Sequence, residues 1–199
     1  MRKIPYVIEG DHNSEKIYDL YSRLLKDRVI FLTENIDMSL ADDVVAQLLL
    51  LEASSSSEAI KLYINSPGGD IDAMYAIYDT MEYVSCPIHT IGYGRVMSAA
   101  SFLVAAGTPG YRFALPNTNF MIHELSSGNS GKYKEMKNYQ KVLDSTYKKM
   151  ISYYQEFTGQ SIKKLEQDMA YDLYLSAEEA LSYGTKGLID SIQSKSFRK

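Results

Sequence analysis

Between Asp27 and His123 the apolar residues switch back and forth between a two-residue and a 3.6-residue period, and this alternation limits the fold more than any other feature. Asp27-Arg-Val-Ile-Phe-Leu-Thr33 reads as a strand. Ser39 to Ala53 follows at helical spacing, with Ser39 the expected N-cap and Asp42 three residues on. Ile60-Lys-Leu-Tyr-Ile64 alternates like a strand and runs into the sharp turn Asn65-Ser-Pro-Gly-Gly69, after which residues 70–84 return to helical spacing. Pro87 to Gly92 is a short strand, Gly94 punctuates, and Ser98 to Ala106 is a helix of small and apolar residues that has to be buried. Tyr111 to Ala114 and Asn119 to His123 are two further strands. Such alternation predicts an α/β domain with a largely parallel sheet.

Residues 132–157 break the rhythm. Met136, Leu143, Met150 and Phe157 fall seven apart, with Tyr139, Tyr147 and Tyr154 between them, so all seven lie along one helical stripe. A helix of that length spans roughly 35–40 Å, too long to pack wholly on its own small sheet, so part of the stripe is expected to meet another subunit. Ser176-Ala-Glu-Glu179 is a capping-box pattern that opens a short helix before the apolar segment Gly187 to Ile192.

Composition narrows the function classes. The formal net charge of -4 comes from 21 basic and 25 acidic residues without a long block of one sign, which gives no reason to expect a nucleic-acid or membrane-surface partner. Cys86 is the only cysteine, so no intrachain disulfide is possible. The start lacks an apolar core of signal-peptide length, and no run of 18 apolar residues occurs, so a cytoplasmic location is expected.

Only three histidines need to be weighed as general bases. His12 sits in a polar turn, and His89 lies within a strand among apolar neighbours as a core or interface residue. His123 ends a strand, where α/β folds place their sites. Ser98 is the strongest nucleophile candidate. It opens a helix directly after a strand and Gly94, at the positive end of the helix dipole and beside unpaired N–H groups that can bind an oxyanion. The same position suits an ordinary N-cap serine, and the residues alone leave both roles open. Pro67-Gly68-Gly69 is a second turn able to aim N–H donors at an anion. The chain has no phosphate-binding Gly-x-x-x-x-Gly-Lys loop, no Gly-x-Ser-x-Gly elbow and no cluster with metal-ligand spacing. Cys86 beside Pro87 reads as structural.

In this order and spacing, five segments resemble the proteolytic subunits of the Clp protease family over nearly the whole chain. They are Tyr21 to Thr33, Leu62-Tyr-Ile-Asn-Ser-Pro-Gly-Gly69, Gly94-Arg-Val-Met-Ser-Ala-Ala-Ser-Phe-Leu103, Phe120-Met-Ile-His123 and Asp172-Leu-Tyr-Leu-Ser-Ala177. The resemblance implies a Clp protease/crotonase-like spiral of βαβ units with a protruding long helix. It implies one domain over 1–199, divided into an axial N-terminal segment (1–20), a head (21–123 and 159–199) and a handle (124–158). It assigns Ser98 as nucleophile, His123 as general base and Asp172 as orienting acid, with the backbone N–H groups of Gly69 and Ala99 as oxyanion hole. The implied activity is a serine endopeptidase acting on unfolded proteins, without a metal or cofactor of its own. The implied partners are further copies of the chain in two stacked heptameric rings and a hexameric AAA+ unfoldase, ClpX- or ClpA/ClpC-like, which consumes the ATP.

Three departures from the family pattern stand out. Val96-Met97 replaces small residues before the serine, Glu124-Leu125 replaces Gln-Pro after the histidine, and Tyr171 replaces an arginine that pairs across the ring interface. An altered substrate pocket and a different ring–ring contact are therefore expected. Ile4-Pro5 aligns near the family's mature N-terminus, so any propeptide is expected to be a few residues at most. The alternatives are a divergent Clp-like protease with a dedicated substrate, such as capsid maturation in a virus, a non-catalytic ring subunit, and an acyl-CoA hydratase or isomerase of the crotonase type.

Overall fold

A computed structural model describes residues 4–10, 15–128 and 130–194. His12 lies outside the described residues. The chain begins with an antiparallel hairpin, β1 (Tyr6–Glu9) and β2 (Lys16–Asp19), followed by α1 (Leu20–Lys26). The main sheet then grows through β3 (Val29–Leu32), α2 (Met38–Ser54), β4 (Ile60–Ser66), α3 (Ile71–Tyr83) and β5 (Ile88–Met97). Next come α4 (Ala99–Ala105), β6 (Arg112–Ala114), β7 (Asn119–Ile122) and α5 (Tyr133–Thr158). The remaining elements are α6 (Ile162–Asp168), β8 (Leu173–Leu175), α7 (Ala177–Leu181) and β9 (Ser191–Ile192). The sheet order is β3-β4-β5-β6-β9, all parallel, with β7 also parallel to β5 and β8 antiparallel to β7. The α/β class and the parallel sheet are as the sequence predicts.

Burial explains the strand signals. In β4, Ile60, Leu62 and Ile64 are fully buried while Lys61 is exposed, which is the alternation seen in the sequence. Two local expectations are corrected. The N-cap of α2 is Asp37, not Ser39: its carboxylate accepts the Leu40 N–H at 2.9 Å. A carboxylate at that place also meets the positive end of the helix dipole. The strand expected to end at Gly92 instead runs on to Met97, and Gly94 is a bend inside it rather than its end. Gly94 adopts φ 64°, and a Cβ there would lie 2.9 Å from Asn65 Oδ1, the atom that accepts the Arg95 N–H at 3.1 Å. This bend lets one strand pair with β6 through residues 90–92 and with β7 through residues 95–97.

Every residue of α4 is buried, as its composition requires. Phe102 forms the hub, in edge-on contact with Tyr75, Tyr78, Tyr153, Tyr154 and Phe157. The long helix α5 divides into two halves. Met150, Ile151, Tyr154 and Thr158 are buried against the domain, whereas Tyr133, Met136, Tyr139 and Val142 of the first half are exposed. Among the described residues no helix is long and apolar enough to cross a membrane.

Candidate active site

Strand register alone brings the predicted residues to one edge of the sheet. β5 pairs with β7 in parallel, Met97 opposite Met121, so Ser98 and His123 each emerge just past a neighbouring strand end. β7 pairs with β8 antiparallel, Ile122 opposite Leu173, so the residue before β8, Asp172, arrives beside the residue after β7, His123. On the other side Ser66 of β4 pairs with Val96 of β5, which carries Gly68 and Gly69 alongside Ser98. Because β8 runs opposite to β7, its start lies where β7 ends, at the carboxyl edge where α/β sheets place ligands.

The distances follow from this register. Ser98 Oγ is 2.8 Å from His123 Nε2, and His123 Nδ1 is 3.2 Å from Asp172 Oδ1. A carboxylate has no proton to offer, so the Nδ1 facing it carries the ring proton and Nε2 accepts from the serine hydroxyl. The His123 side chain is three-quarters buried, while that of Asp172 is half exposed, with the Tyr174 hydroxyl 3.5 Å from its other oxygen.

Ser98 occupies the N-cap position of α4 but makes no side-chain cap hydrogen bond, so the capping role left open by the sequence is not the one it plays. Its backbone stands at φ 55°, ψ -124°, and with Arg28 it is one of two non-glycine residues at positive φ among those described. Such a conformation costs about 1–3 kcal/mol. It results from turning the chain from strand to helix over a single residue, which pushes the hydroxyl into the cleft as in the strained elbows of other hydrolases. No Gly-x-Ser-x-Gly pattern marks this elbow, because the space for it comes from elsewhere in the chain. A Cβ on Gly68 would lie 2.7 Å from Ser98 Cβ and 3.0 Å from the Ala99 nitrogen.

Gly69 is required by an equally close approach. A Cβ there would meet the Ile36 carbonyl oxygen at 2.1 Å. Ile36 bridges across it: the Ile36 N–H donates to Gly68 O and the Asp70 N–H donates to Ile36 O. Those bonds use the groups flanking Gly69 and leave its own N–H on the opposite side, where Gly69 lines the cleft with Ser98, Ala99 and His123. The cleft holds about 300 Å³, and its apolar wall includes Met74, Phe102, Leu143 and Met150, none of which the sequence singled out for a site.

The departures from the family pattern fall in different places. Val96 is buried in the core, and neither it nor Met97 lines the cleft, so the bulk before the serine is turned away from it. Glu124 and Leu125 do line it. Tyr171 is almost fully exposed.

The remaining candidates fall away from this edge. His89 stacks flat on Tyr111 with ring centroids 4.2 Å apart, and burial, helped by Lys61, lowers its pKa. Cys86 is buried, and burial together with its hydrogen bond to Glu52 pushes the thiol pKa up, which suits a structural residue. Among the described residues no group of three or more His, Cys, Asp or Glu side chains could hold a metal ion. The family model for Clp protease matches residues 12–196 of the 199. With a match over nearly its whole length and the parallel α/β fold, the chain belongs to the Clp protease family, a family of peptidases.

Proposed function

We propose that this chain is a serine endopeptidase in which Ser98 is the nucleophile, His123 the general base and Asp172 the orienting acid. The observation that carries the reading is the 2.8 Å contact between Ser98 Oγ and His123 Nε2 on a strained elbow without a capping role. Ser98 Oγ attacks the peptide carbonyl carbon while its proton passes to His123 Nε2, and the Gly69 and Ala99 N–H groups receive the oxyanion. Asp172 stabilises the imidazolium, which returns the proton to the leaving amine as the C–N bond breaks. Water, deprotonated by His123, then attacks the acyl-enzyme ester carbon, and the imidazolium passes that proton to Ser98 Oγ as the ester C–O bond breaks and the peptide acid leaves. No cofactor enters these steps.

The test is to treat the purified protein with a fluorophosphonate and map the adduct by mass spectrometry, with Ser98→Ala as control. Labelling at Ser98 that disappears in the variant is expected. Absence of labelling on a folded wild type would sink the reading and favour a non-catalytic subunit.

Clp proteases in general work as oligomeric rings with an ATPase, and the same arrangement is proposed here: heptameric rings, two of them stacked, fed with unfolded protein by a hexameric AAA+ unfoldase. The apolar face of the first half of α5 supports it, because Tyr133, Met136, Tyr139 and Val142 stay partly or largely exposed on their own chain, although Tyr139 is hydrogen-bonded to Ser127 and borders the cleft with Val142. Met136→Asp with Val142→Asp is therefore expected to shift the particle toward single rings or smaller species in light scattering. Both residues are exposed, so the melting temperature of the isolated subunit should change little. An unchanged particle mass would exclude this face from the assembly.

A further inference from the structure

On the reading of Ser98 as nucleophile, we propose that Tyr154 and Ser101 are positioning residues that aim the Ala99 N–H into the cleft. The carbonyl of Ser98 accepts three hydrogen bonds: from the Ser101 N–H at 2.9 Å, the Phe102 N–H at 3.2 Å and the Ser101 hydroxyl at 2.6 Å. The Ser101 oxygen in turn lies 3.0 Å from the hydroxyl of Tyr154. A serine hydroxyl has one proton, and here it points at the Ser98 carbonyl, so the phenol must supply the proton of the second contact. The result is a directed relay from Tyr154 O–H to Ser101 O–H to Ser98 C=O, in which each bond polarises the next.

That carbonyl belongs to the same rigid peptide unit as the Ala99 N–H, and in a trans peptide the two point in opposite directions. Holding the carbonyl inward under α4 therefore holds the N–H outward. The hold opposes a real tendency to relax. Ser98 stands at φ 55°, ψ -124°, whereas the allowed well at that φ has ψ near +47°. Any relaxation of ψ toward that well swings the Ala99 N–H away from the cleft.

Tyr154 is suited to this task. It comes from the buried half of α5, is only 2% exposed, and is fixed by edge-on packing on Phe102 with ring centroids 5.6 Å apart. Burial pushes its pKa well up, so the phenol stays a donor across the pH range in which peptidases work. Tyr154 also borders the cleft, but its hydroxyl bonds to Ser101 and neither residue bonds to Ser98 Oγ or His123, so the proposed action of both runs through the Ser98–Ala99 peptide.

The experiment compares Tyr154→Phe, Ser101→Ala and the double variant in the full-length protein. The readouts are hydrolysis of a short fluorogenic peptide, the rate of fluorophosphonate labelling at Ser98 and affinity for a peptide boronate, whose tetrahedral adduct occupies the oxyanion site. Tyr154→Phe keeps the ring packing and removes only the hydroxyl. The expected result is a fall of about tenfold in kcat with KM unchanged, as for other groups that orient a catalytic one. Labelling rate and boronate affinity should fall with kcat, and the double variant should lose no more than Ser101→Ala, because the two act in series. Wild-type kcat and labelling in Tyr154→Phe, or a loss that follows a lowered melting temperature, would overturn the proposal. Failure of the wild type itself to label would remove the role of Ser98, and this proposal with it.

Discussion

Replacing Ser98 or His123 by alanine is expected to lower kcat for a fluorogenic peptide by about 10⁴-fold or more, with the double variant falling no further than either single one. The non-additivity is the informative part. On the proposed roles, the serine hydroxyl is a weak nucleophile at neutral pH until its proton has somewhere to go, and among the described residues the base at hand is His123 Nε2 at 2.8 Å. Removing either partner disables the same step, so the second removal costs nothing more. Asp172→Asn should cost less than either alanine. The Asp172 side chain is half exposed, so water can partly replace it as a partner for the imidazolium. It should still be harmful, because an amide facing Nδ1 can stabilise the wrong tautomer. Thermal melts of each variant separate a slowed step from a smaller folded fraction. Additive losses at Ser98 and His123 would mean that the two do not act as a unit.

The largest effect on stability is expected far from the cleft. Arg112 on β6 is buried, and its guanidinium donates to the carbonyls of Ala105, Phe157, Lys186 and Gly187 and to both oxygens of Asp190. These partners lie at the end of α4, the end of α5 and in the C-terminal segment, so one side chain ties three parts of the chain together. Asp190 also accepts the backbone N–H groups of Gly110 and Arg112. Asp190→Asn leaves the guanidinium buried without a counter-charge and is expected to cost about 3 kcal/mol. For a chain of this size that corresponds to a fall of about 6–12 °C in melting temperature.

The pH dependence follows from the same pair. Burial alone would raise the Asp190 pKa, but the hydrogen bonds and charge of Arg112 outweigh it and hold the carboxyl below its ordinary value. A carboxylate with a lowered folded pKa stabilises fully above its unfolded value, about 3.9, and loses that contribution as pH falls through the folded value. The gap in melting temperature between wild type and Asp190→Asn should therefore be constant near neutrality and close below about pH 4. Thermal melts of the two proteins across pH 3–8 measure it. A gap that persists unchanged at pH 3 would show that Asp190 acts through packing and not through its charge.

The legibility of each feature depended on how far apart in the chain its causes lie. The strand at residues 60–66 was readable because its alternation of Ile, Lys, Leu, Tyr and Ile is the burial pattern itself. The buried helix after Ser98 was readable because only small and apolar side chains fit between sheet and helices. The N-cap of α2 is ambiguous in the sequence because Asp37 and Ser39 are both good caps, and only the entry of the chain from β3 selects Asp37. The extension of β5 past Gly94 was hidden because a glycine marks a turn as often as a bend, and Asn65 of another strand determines which.

The amino-acid sequence by itself determined the α/β class, the long helix with its apolar stripe, the candidates Ser98 and His123, and the Pro67-Gly68-Gly69 turn, since periodicity and local turn chemistry are properties of neighbouring residues. Asp172 is assigned only by the resemblance to the Clp protease family. Its place depends on β8 entering antiparallel beside β7, and no local pattern encodes which strands will pair. Tertiary structure alone decided the positive φ of Ser98, the room made for it by Gly68, the Tyr154–Ser101 relay and the Arg112–Asp190 clasp. Each of these joins residues that meet only when helices and strands from distant parts of the chain close around one core. Their geometry is a consequence of that closure and is not written in any single segment.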